Sequence, residues 1–459
     1  MRWRRVILDE GHNIRNPSTK KAVAAHEFLA QSRWVLTGTP IVNTLKDLFS
    51  LVKFIRLSGG LDNYDVFNGA IMRPVNQGSS RGGFLLQTLM SSICLRRKKD
   101  MKFIDLRLPE LSEYVHRVQF HDHERVKYEA LESQAKGTLE RYQVGREMQS
   151  GKKAQEAYRN LLETLLRMRQ ICNHWKLCGE ERISELMSLL ESQKTVELTE
   201  ENRETLQHML QLSIDSQDDC PVCIDNFEDP IITTCAHVFC YSCIERVIET
   251  QQKCPMCRAE LKDTNQLVRP AKAIAQPEID IETSSSKIEA LLNILDASHK
   301  TAGTKTVVFS QWTSFLNVLE KQLDEHGYKY ARIDGTMSAN ERDSAMAALE
   351  NDPGCTIMLA SLGVGSVGLN LVAANQVVLM DTWWAPAIED QAVDRVHRLG
   401  QKKPTRVFRL VMEGSIEERV LDIQSDKRKL MMLAFAEKES KMRGKGARLA
   451  DIHRLLGEK

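Results

Sequence analysis

The sequence predicts an α/β fold, a parallel sheet flanked by helices, interrupted by a small metal-folded module. Three observations carry this. After residue 300, short apolar runs alternate with helix-length amphipathic segments. Two more apolar runs near the start end in Asp9-Glu10 and in Thr37-Gly38-Thr39-Pro40. In mid-chain, seven of the 11 cysteines and one histidine fall within 38 residues, in four close pairs.

Taken in order, Arg5–Leu8 and Arg33–Leu36 read as buried strands. Two strands cannot make a covered parallel sheet, so residues 1–115 are expected to be the second half of a domain whose first half lies elsewhere. Residues 124–148, 153–172 and 198–213 are rich in Glu, Lys, Arg, Gln and Leu at helical spacing, which predicts a helical hairpin and connectors. The array then follows: Cys220, Cys223, Cys235, His237, Cys240, Cys243, Cys254 and Cys257. Eight thiol and imidazole ligands suffice for two tetrahedral Zn2+ sites, and sites closed by four protein ligands hold structure and leave no open catalytic position. Residues 263–286 carry Pro270 and Pro277 and end in Ser284-Ser285-Ser286, which reads as a linker running into a helix cap. The last five strands are expected at Thr306–Phe309, Tyr330–Ile333, Thr356–Leu359, Gln376–Met380 and Val407–Val411, with helices such as 314–326 and 339–349 between them. In sheets of this kind, ligands sit at the carboxyl ends of the strands.

Composition narrows the classes. A 42% hydrophobic chain of 459 residues can bury two or three cores, and a net charge of +1 argues against bulk attraction to nucleic acid, so any DNA contact must be a local patch. Thiols at metal spacing, with no cleavable apolar leader and no membrane-length apolar run, point to a reducing compartment and away from a membrane.

An acidic pair at a strand's end suits a metal-binding acid and a water-polarising acid beside a nucleotide's Mg2+. With Asp390-Gln391-Ala392-Val393-Asp394-Arg395-Val396-His397-Arg398-Leu399-Gly400-Gln401 in the C-terminal half, the set resembles the SNF2 family of helicase-like ATPases. Asp9–His12 match motif II, Leu36–Pro40 motif III, Val307–Leu316 motif IV, Ala360–Leu371 motif V and Asp390–Gln401 motif VI. Further matching strings are Arg167–His174 and Ser415-Ile416-Glu417-Glu418. The order of the array resembles a RING finger, and its place between the motor halves resembles the group of the helicase-like transcription factor and its yeast post-replication-repair relatives.

The resemblance implies RecA-like helicase lobes, a partial first lobe over 1–115 and a complete second lobe over 287–459. It implies helical insertions over 116–214, a zinc-binding RING domain over 215–262 and a linker over 263–286. It implies a nuclear protein combining an ATP-dependent DNA translocase with a ubiquitin ligase, acting in repair or damage tolerance, with two Zn2+, ATP and Mg2+ as cofactors; transcriptional chromatin remodelling is a lesser alternative. One zinc would take Cys220, Cys223, Cys240 and Cys243, the other Cys235, His237, Cys254 and Cys257. Asp9 would help hold Mg2+, Glu10 would activate water, and Arg395 and Arg398, three apart on one helix face, would reach the γ-phosphate, oriented by Gln391 and Asp394. His12, Thr37, Gly38 and Thr39, with Gly365 and Gly368, would line nucleotide or DNA. Ser310 and Gln311 would touch strand phosphates, and Arg96-Arg97-Lys98-Lys99 would be either a basic clamp or a solvated face. Ile224 and Pro255 would seat a ubiquitin-charged conjugating enzyme, with Arg258 bridging enzyme and ubiquitin.

Three departures from the family pattern stand out. Motif V reads Gly363-Val364-Gly365-Ser366, lacking a lysine, and Ala385 follows Trp383-Trp384 where asparagine is common. No Gly-x-x-x-x-Gly-Lys-Ser/Thr phosphate loop occurs in the 459 residues, and Met1 stands eight residues before Asp9. The expectation is therefore of a fragment that does not hydrolyse ATP by itself, and the alternative reading is a RING ligase or scaffold without a motor.

Overall fold

The computed structural model describes residues 2–435, apart from 58, 98, 100–107, 148–150, 179–185, 187–188, 191–192, 194, 216–218, 226, 271–284, 302 and 367–368. The chain divides into two compact units, one formed by 1–41, 45–63 and 179–279, the other by 42–44, 64–178 and 280–459. Among the described residues no helix is long and apolar enough to cross a membrane.

The first unit holds a two-stranded parallel sheet of β1 (Trp3–Leu8) and β2 (Ala30–Val35), in register from Trp3↔Ala30 to Leu8↔Val35. Period-two alternation turns Val6, Leu8 and Val35 towards Ile14, Ala22, Ala25, Leu51 and Phe54, which come from helices α1 (Lys20–Glu27) and α2 (Leu45–Ile55) and the turn before α1. On the opposite face Ile7 and Trp34 are neighbours in register and both more than half exposed.

The same unit contains a three-stranded antiparallel sheet in the order β5 (Val238–Cys240), β4 (Pro230–Thr233), β6 (Leu267–Val268). The small domain expected at 215–262 thus extends through Val268, because β6 closes its sheet against Ile232 and Thr233. Leu206 and Leu210 of the helix Glu200–Asp215 pack on Ile232 and Val268.

The second unit is built on a six-stranded, wholly parallel sheet ordered β3-β11-β10-β7-β9-β8. The strands are β3 (Leu111–Val118), β7 (Thr306–Ser310), β8 (Tyr330–Ile333), β9 (Ile357–Ser361), β10 (Gln376–Leu379) and β11 (Thr405–Met412). Central strands β7, β9 and β10 are buried along their whole length, as a sheet covered on both faces requires. The boundary expected at residue 115 falls inside β3, which pairs residue for residue with β11 from Leu111↔Thr405 to Val118↔Met412. Helices Asp122–Glu147 and Gly151–Asn173 pack along each other, as their periodicity predicts. Ser285 caps the helix Ser286–His299, its side chain accepting from the Ile288 N–H, where the serine run predicts a cap.

Candidate functional site: two zinc-type ligand sets and the motif loops

The eight array residues converge in two sets, Cys220, Cys223, Cys240, Cys243 and Cys235, His237, Cys254, Cys257, with the ligand atoms of each within 4.8 Å of one another. Two near-identical turns supply the first and last pairs: Cys220-Pro221-Val222-Cys223-Ile224 and Cys254-Pro255-Met256-Cys257-Arg258. In each turn the fifth residue takes a left-handed conformation, φ 56° at Ile224 and 60° at Arg258. Its N–H then donates to the first cysteine's carbonyl, at 2.7 Å from Ile224 and 2.9 Å from Arg258. This folds each Cys-x-x-Cys so that both sulfurs face one point. The β4–β5 turn, with Ala236 at φ 57°, presents Cys235 and His237 together, Nδ1 lying 3.4 Å from Sγ.

The donor chemistry and geometry fit Zn2+. A tetrahedron with Zn–S bonds of ~2.3 Å has an S–S edge of about 3.8 Å, and the Cys223 and Cys240 sulfurs are 3.8 Å apart. Backbone N–H groups also point at the sulfurs: Cys240 N donates to Cys220 Sγ at 3.4 Å and Glu228 N to Cys240 Sγ at 3.2 Å. Burial pushes the Cys220 thiol up, but the amides of Cys223, Cys240 and Val222 outweigh it, and the net direction is down, towards thiolate. Ile224, Pro255 and Arg258 are all exposed at the knuckles.

In the first unit, Asp9 is exposed at the end of β1 and its Oδ1 accepts from the Glu10 N–H at 3.0 Å. Glu10 is left-handed at φ 47°. Gly11 sits close against β2, where a Cβ would collide with the Val35 side chain unless that side chain moved. His12 joins the two loops: its Nδ1 is 3.4 Å from both Thr37 Oγ1 and Glu10 Oε2. Thr37 Oγ1 accepts from the Thr39 N–H at 3.1 Å, and Gly38 is exposed between them. Burial lowers the His12 imidazole, Arg15 adds to this and Glu10 opposes it.

In the second unit the expectation for motif IV is corrected. Ser310 and Gln311 are buried, not turned outward to a phosphate. The Ser310 hydroxyl donates to Asp381 Oδ2 at 2.5 Å, the Gln311 N–H donates to Asp381 Oδ1 at 3.1 Å, and Gln311 Oε1 accepts from Arg169 Nη2 at 3.0 Å. A carboxylate at the end of neighbouring β10 competes for the groups that a phosphate would need. Arg169 also donates to the Thr382 carbonyl at 2.6 Å, with its guanidinium carbon 4.8 Å from the Trp384 ring centre. Burial lowers its pKa, while Asp381 and Glu417 hold it up.

Motif VI is corrected in two respects. Helix Pro386–Val396 ends before Arg398, so Arg395 and Arg398 do not share a helix face. Arg398 lies in the following turn and donates to the Leu369 carbonyl at 3.2 Å. Asp394 does not orient the arginines; its Oδ1 pairs with Lys99 Nζ at 2.6 Å, and the same ammonium donates to the His397 carbonyl at 2.5 Å. Arg96 stacks over Phe435 at 4.2 Å, so two members of the basic run serve structure, while Arg97 is exposed. Lys98 and Gly368 lie outside the described residues, and Gly365 falls in a 3-10 turn, Leu362–Ser366, with Gln391 half-buried on the helix.

A buried charge network is the feature that sequence reading missed. Lys287 is inaccessible to solvent, and its Nζ reaches Asn173 Oδ1 at 3.0 Å, the Met380 carbonyl at 2.7 Å and Glu417 Oε1 at 2.6 Å. Glu389 accepts from the Trp383 N–H and Gln424 Nε2, at 2.7 and 2.6 Å, and pairs with Arg409 at 3.3 Å. The signal was present in the strings Arg167–His174 and Ser415–Glu418, which supply Arg169, Asn173 and Glu417.

A wholly parallel helicase-type sheet, strand-end motif loops and two interleaved Cys/His sets define a helicase-like protein with a RING-type zinc module. The chain matches the SNF2-related domain over residues 1–177, the helicase conserved C-terminal domain over 286–400, and the C3HC4-type zinc finger (RING finger) over 219–257. It is 40% identical to the helicase-like transcription factor of Homo sapiens over 96% of this chain and 44% of that protein, and 40% identical to that of Oryctolagus cuniculus over 99% and 46%. It is 33% identical to the DNA repair protein RAD5A of Arabidopsis thaliana over 96% and 44%. The chain spans less than half the length of these relatives. The chain belongs to the SNF2-related family, in the RING-bearing group that includes the helicase-like transcription factor and RAD5 proteins.

Proposed function

We propose that this chain is the motor-and-ligase part of a nuclear, SNF2-type ATP-dependent DNA translocase that is also a RING E3 ubiquitin ligase acting in DNA repair or damage tolerance. The observation that supports it most is the combination, in one chain, of helicase-family halves with eight ligands converging in two zinc-type sets between them. Zn2+, when bound, fixes the two knuckles and the β4–β5 turn. Ile224 and Pro255 then offer an apolar seat for a charged conjugating enzyme, and Arg258 holds its ubiquitin, so that a substrate lysine attacks the thioester with no covalent intermediate on the ligase. For the motor, Asp9 would be the residue to hold Mg2+, which when bound would supply charge to a nucleotide's phosphates, Glu10 would take the proton of the attacking water, and Arg395 and Arg398 would supply guanidinium charge to the transferring phosphoryl group. DNA is engaged through its backbone, without base readout. The test is ubiquitin discharge from a charged conjugating enzyme onto free lysine. Arg258→Ala should cut the rate at least about tenfold, 1.4 kcal/mol, with two zinc ions retained; undiminished discharge sinks the ligase reading.

A second reading applies to the chain by itself. Its 459 residues include no Gly-x-x-x-x-Gly-Lys-Ser/Thr loop, so ligase activity without ATP turnover is the expected behaviour of this polypeptide.

A further inference from the structure

The first zinc knuckle packs against the segment that continues from motif II. Motif II runs directly into the short helical turn Gly11–Ile14, and Asn13, Arg15 and Asn16 face Asp219, Ile224 and Asp225 across a small cleft of about 40 Å3. Lys21, at the start of α1, holds the knuckle with its Nζ 3.6 Å from Asp225 Oδ1. The cleft does not bury Ile224, which stays 46% exposed, nor its knuckle neighbour Val222, nor Met256 on the second knuckle.

The two walls differ in chemistry. The RING wall sets the apolar Ile224 between two carboxylates that are already engaged, Asp219 and Asp225, whereas the opposite wall is rich in donors. Among the described residues, the side-chain amide of Asn13 and the guanidinium of Arg15 make no hydrogen bond or ion pair, and the Asn16 side chain uses only its oxygen, accepting from the Ser18 N–H at 3.1 Å. An apolar centre flanked by unengaged polar groups is the anatomy of a protein interface: the centre supplies desolvation and the rim supplies orientation and on-rate.

We propose that a ubiquitin-conjugating enzyme seated on Ile224 and Pro255 extends over the Asn13–Asn16 segment, whose donors form the rim of a single composite docking surface. The rim takes carbonyl and carboxylate acceptors from the partner, with Arg15 as its charged member. This rests on the ligase reading of the RING. It also places the partner on the segment that follows the motif II acids directly, so that the ligase surface and the nucleotide loop share one short stretch of chain.

The test measures affinity by fluorescence anisotropy for the full 459-residue chain. A panel of ubiquitin-conjugating enzymes is ranked on the unsubstituted protein and the tightest is carried forward. Arg15→Glu, the milder Arg15→Gln, the pair Asn13→Ala/Asn16→Ala, and Ile224→Ala are compared, each first checked for two bound zinc ions. Arg15→Glu should weaken binding roughly three- to tenfold and Arg15→Gln by less, with the difference shrinking as salt is added. If every Asn13–Asn16 variant binds within about twofold of the unsubstituted protein while Ile224→Ala loses binding, the footprint is confined to the RING and the composite surface is wrong. If Ile224→Ala also binds normally, the ligase reading itself fails and the rim falls with it.

Discussion

Lys287 satisfies the conditions for burying an ammonium: three protons, three acceptors, and a carboxylate at 2.6 Å to balance the charge. Removing one partner of such a pair leaves an uncompensated charge and costs ~3–5 kcal/mol, whereas replacing both by apolar groups is often close to neutral. Lys287→Met should therefore destabilise the second unit by about that amount, and Lys287→Met/Glu417→Leu should recover most of it, as read from urea denaturation midpoints. A single substitution costing under about 1 kcal/mol would show that the network is decorative. His12 gives a pH prediction. Burial lowers its folded value below the ordinary 6.5, so at mildly acid pH the unfolded chain takes up a proton that the folded site refuses. Its contribution is complete above pH 6.5 and is lost as pH falls through and below that value. An NMR titration of the His12 ring should give a value under 6.5, and His12→Gln should remove this component from the acid limb of the stability profile; a normal or raised value contradicts it. Residue identity was legible at these sites, but direction was not. Ser310 and Gln311 sit at a strand's carboxyl end, where short polar side chains serve a bound ligand or a neighbouring strand equally well. Only the position of Asp381, 71 residues after Ser310 in sequence, decides between them.

At the scale of elements, the knuckles and the β4–β5 turn depend on the metal more than on their own core. The RING core consists largely of the ligand cysteines with Ile231, Phe239, Ile244, Ile248, Ala259 and Leu261. Structural zinc contributes on the order of 10 kcal/mol to folding such modules. Chelation, or Cys240→Ser in the first set, should release zinc and collapse amide protection over 219–268 in hydrogen exchange, leaving β7, β9 and β10 protected. Protection that survives chelation would mean that the module folds without metal. The spacing of the eight ligands made this module legible, as apolar runs made β7 to β11 legible, each found within a few residues of its place. β3 escaped because Leu-Ser-Glu-Tyr-Val-His-Arg-Val is mixed in polarity, and the strand is mostly exposed at the sheet's edge. An edge strand has one neighbour and little burial, so it lacks the apolar signature of a central one.

At the scale of the whole molecule, each unit collects distant stretches of chain: 1–41, 45–63 and 179–279 in one, 42–44, 64–178 and 280–459 in the other. A division by sequence order could not show this. A polypeptide of this sequence should release phosphate from ATP at the background rate with or without DNA; stimulation by DNA would show that other backbone amides cradle the phosphates.

The pairing of β3 with β11 also has a bearing on how the protein is made. The partners, Leu111–Val118 and Thr405–Met412, are separated by nearly 300 residues that include the whole zinc module. At ~5–20 residues per second of synthesis, β3 waits for roughly 15 seconds to a minute before its partner strand exists. The zinc module can close during that interval. The six-stranded sheet is therefore finished last, from its C-terminal end, and until then the nascent chain carries a strand with no partner on either side, the kind of surface that chaperones cover.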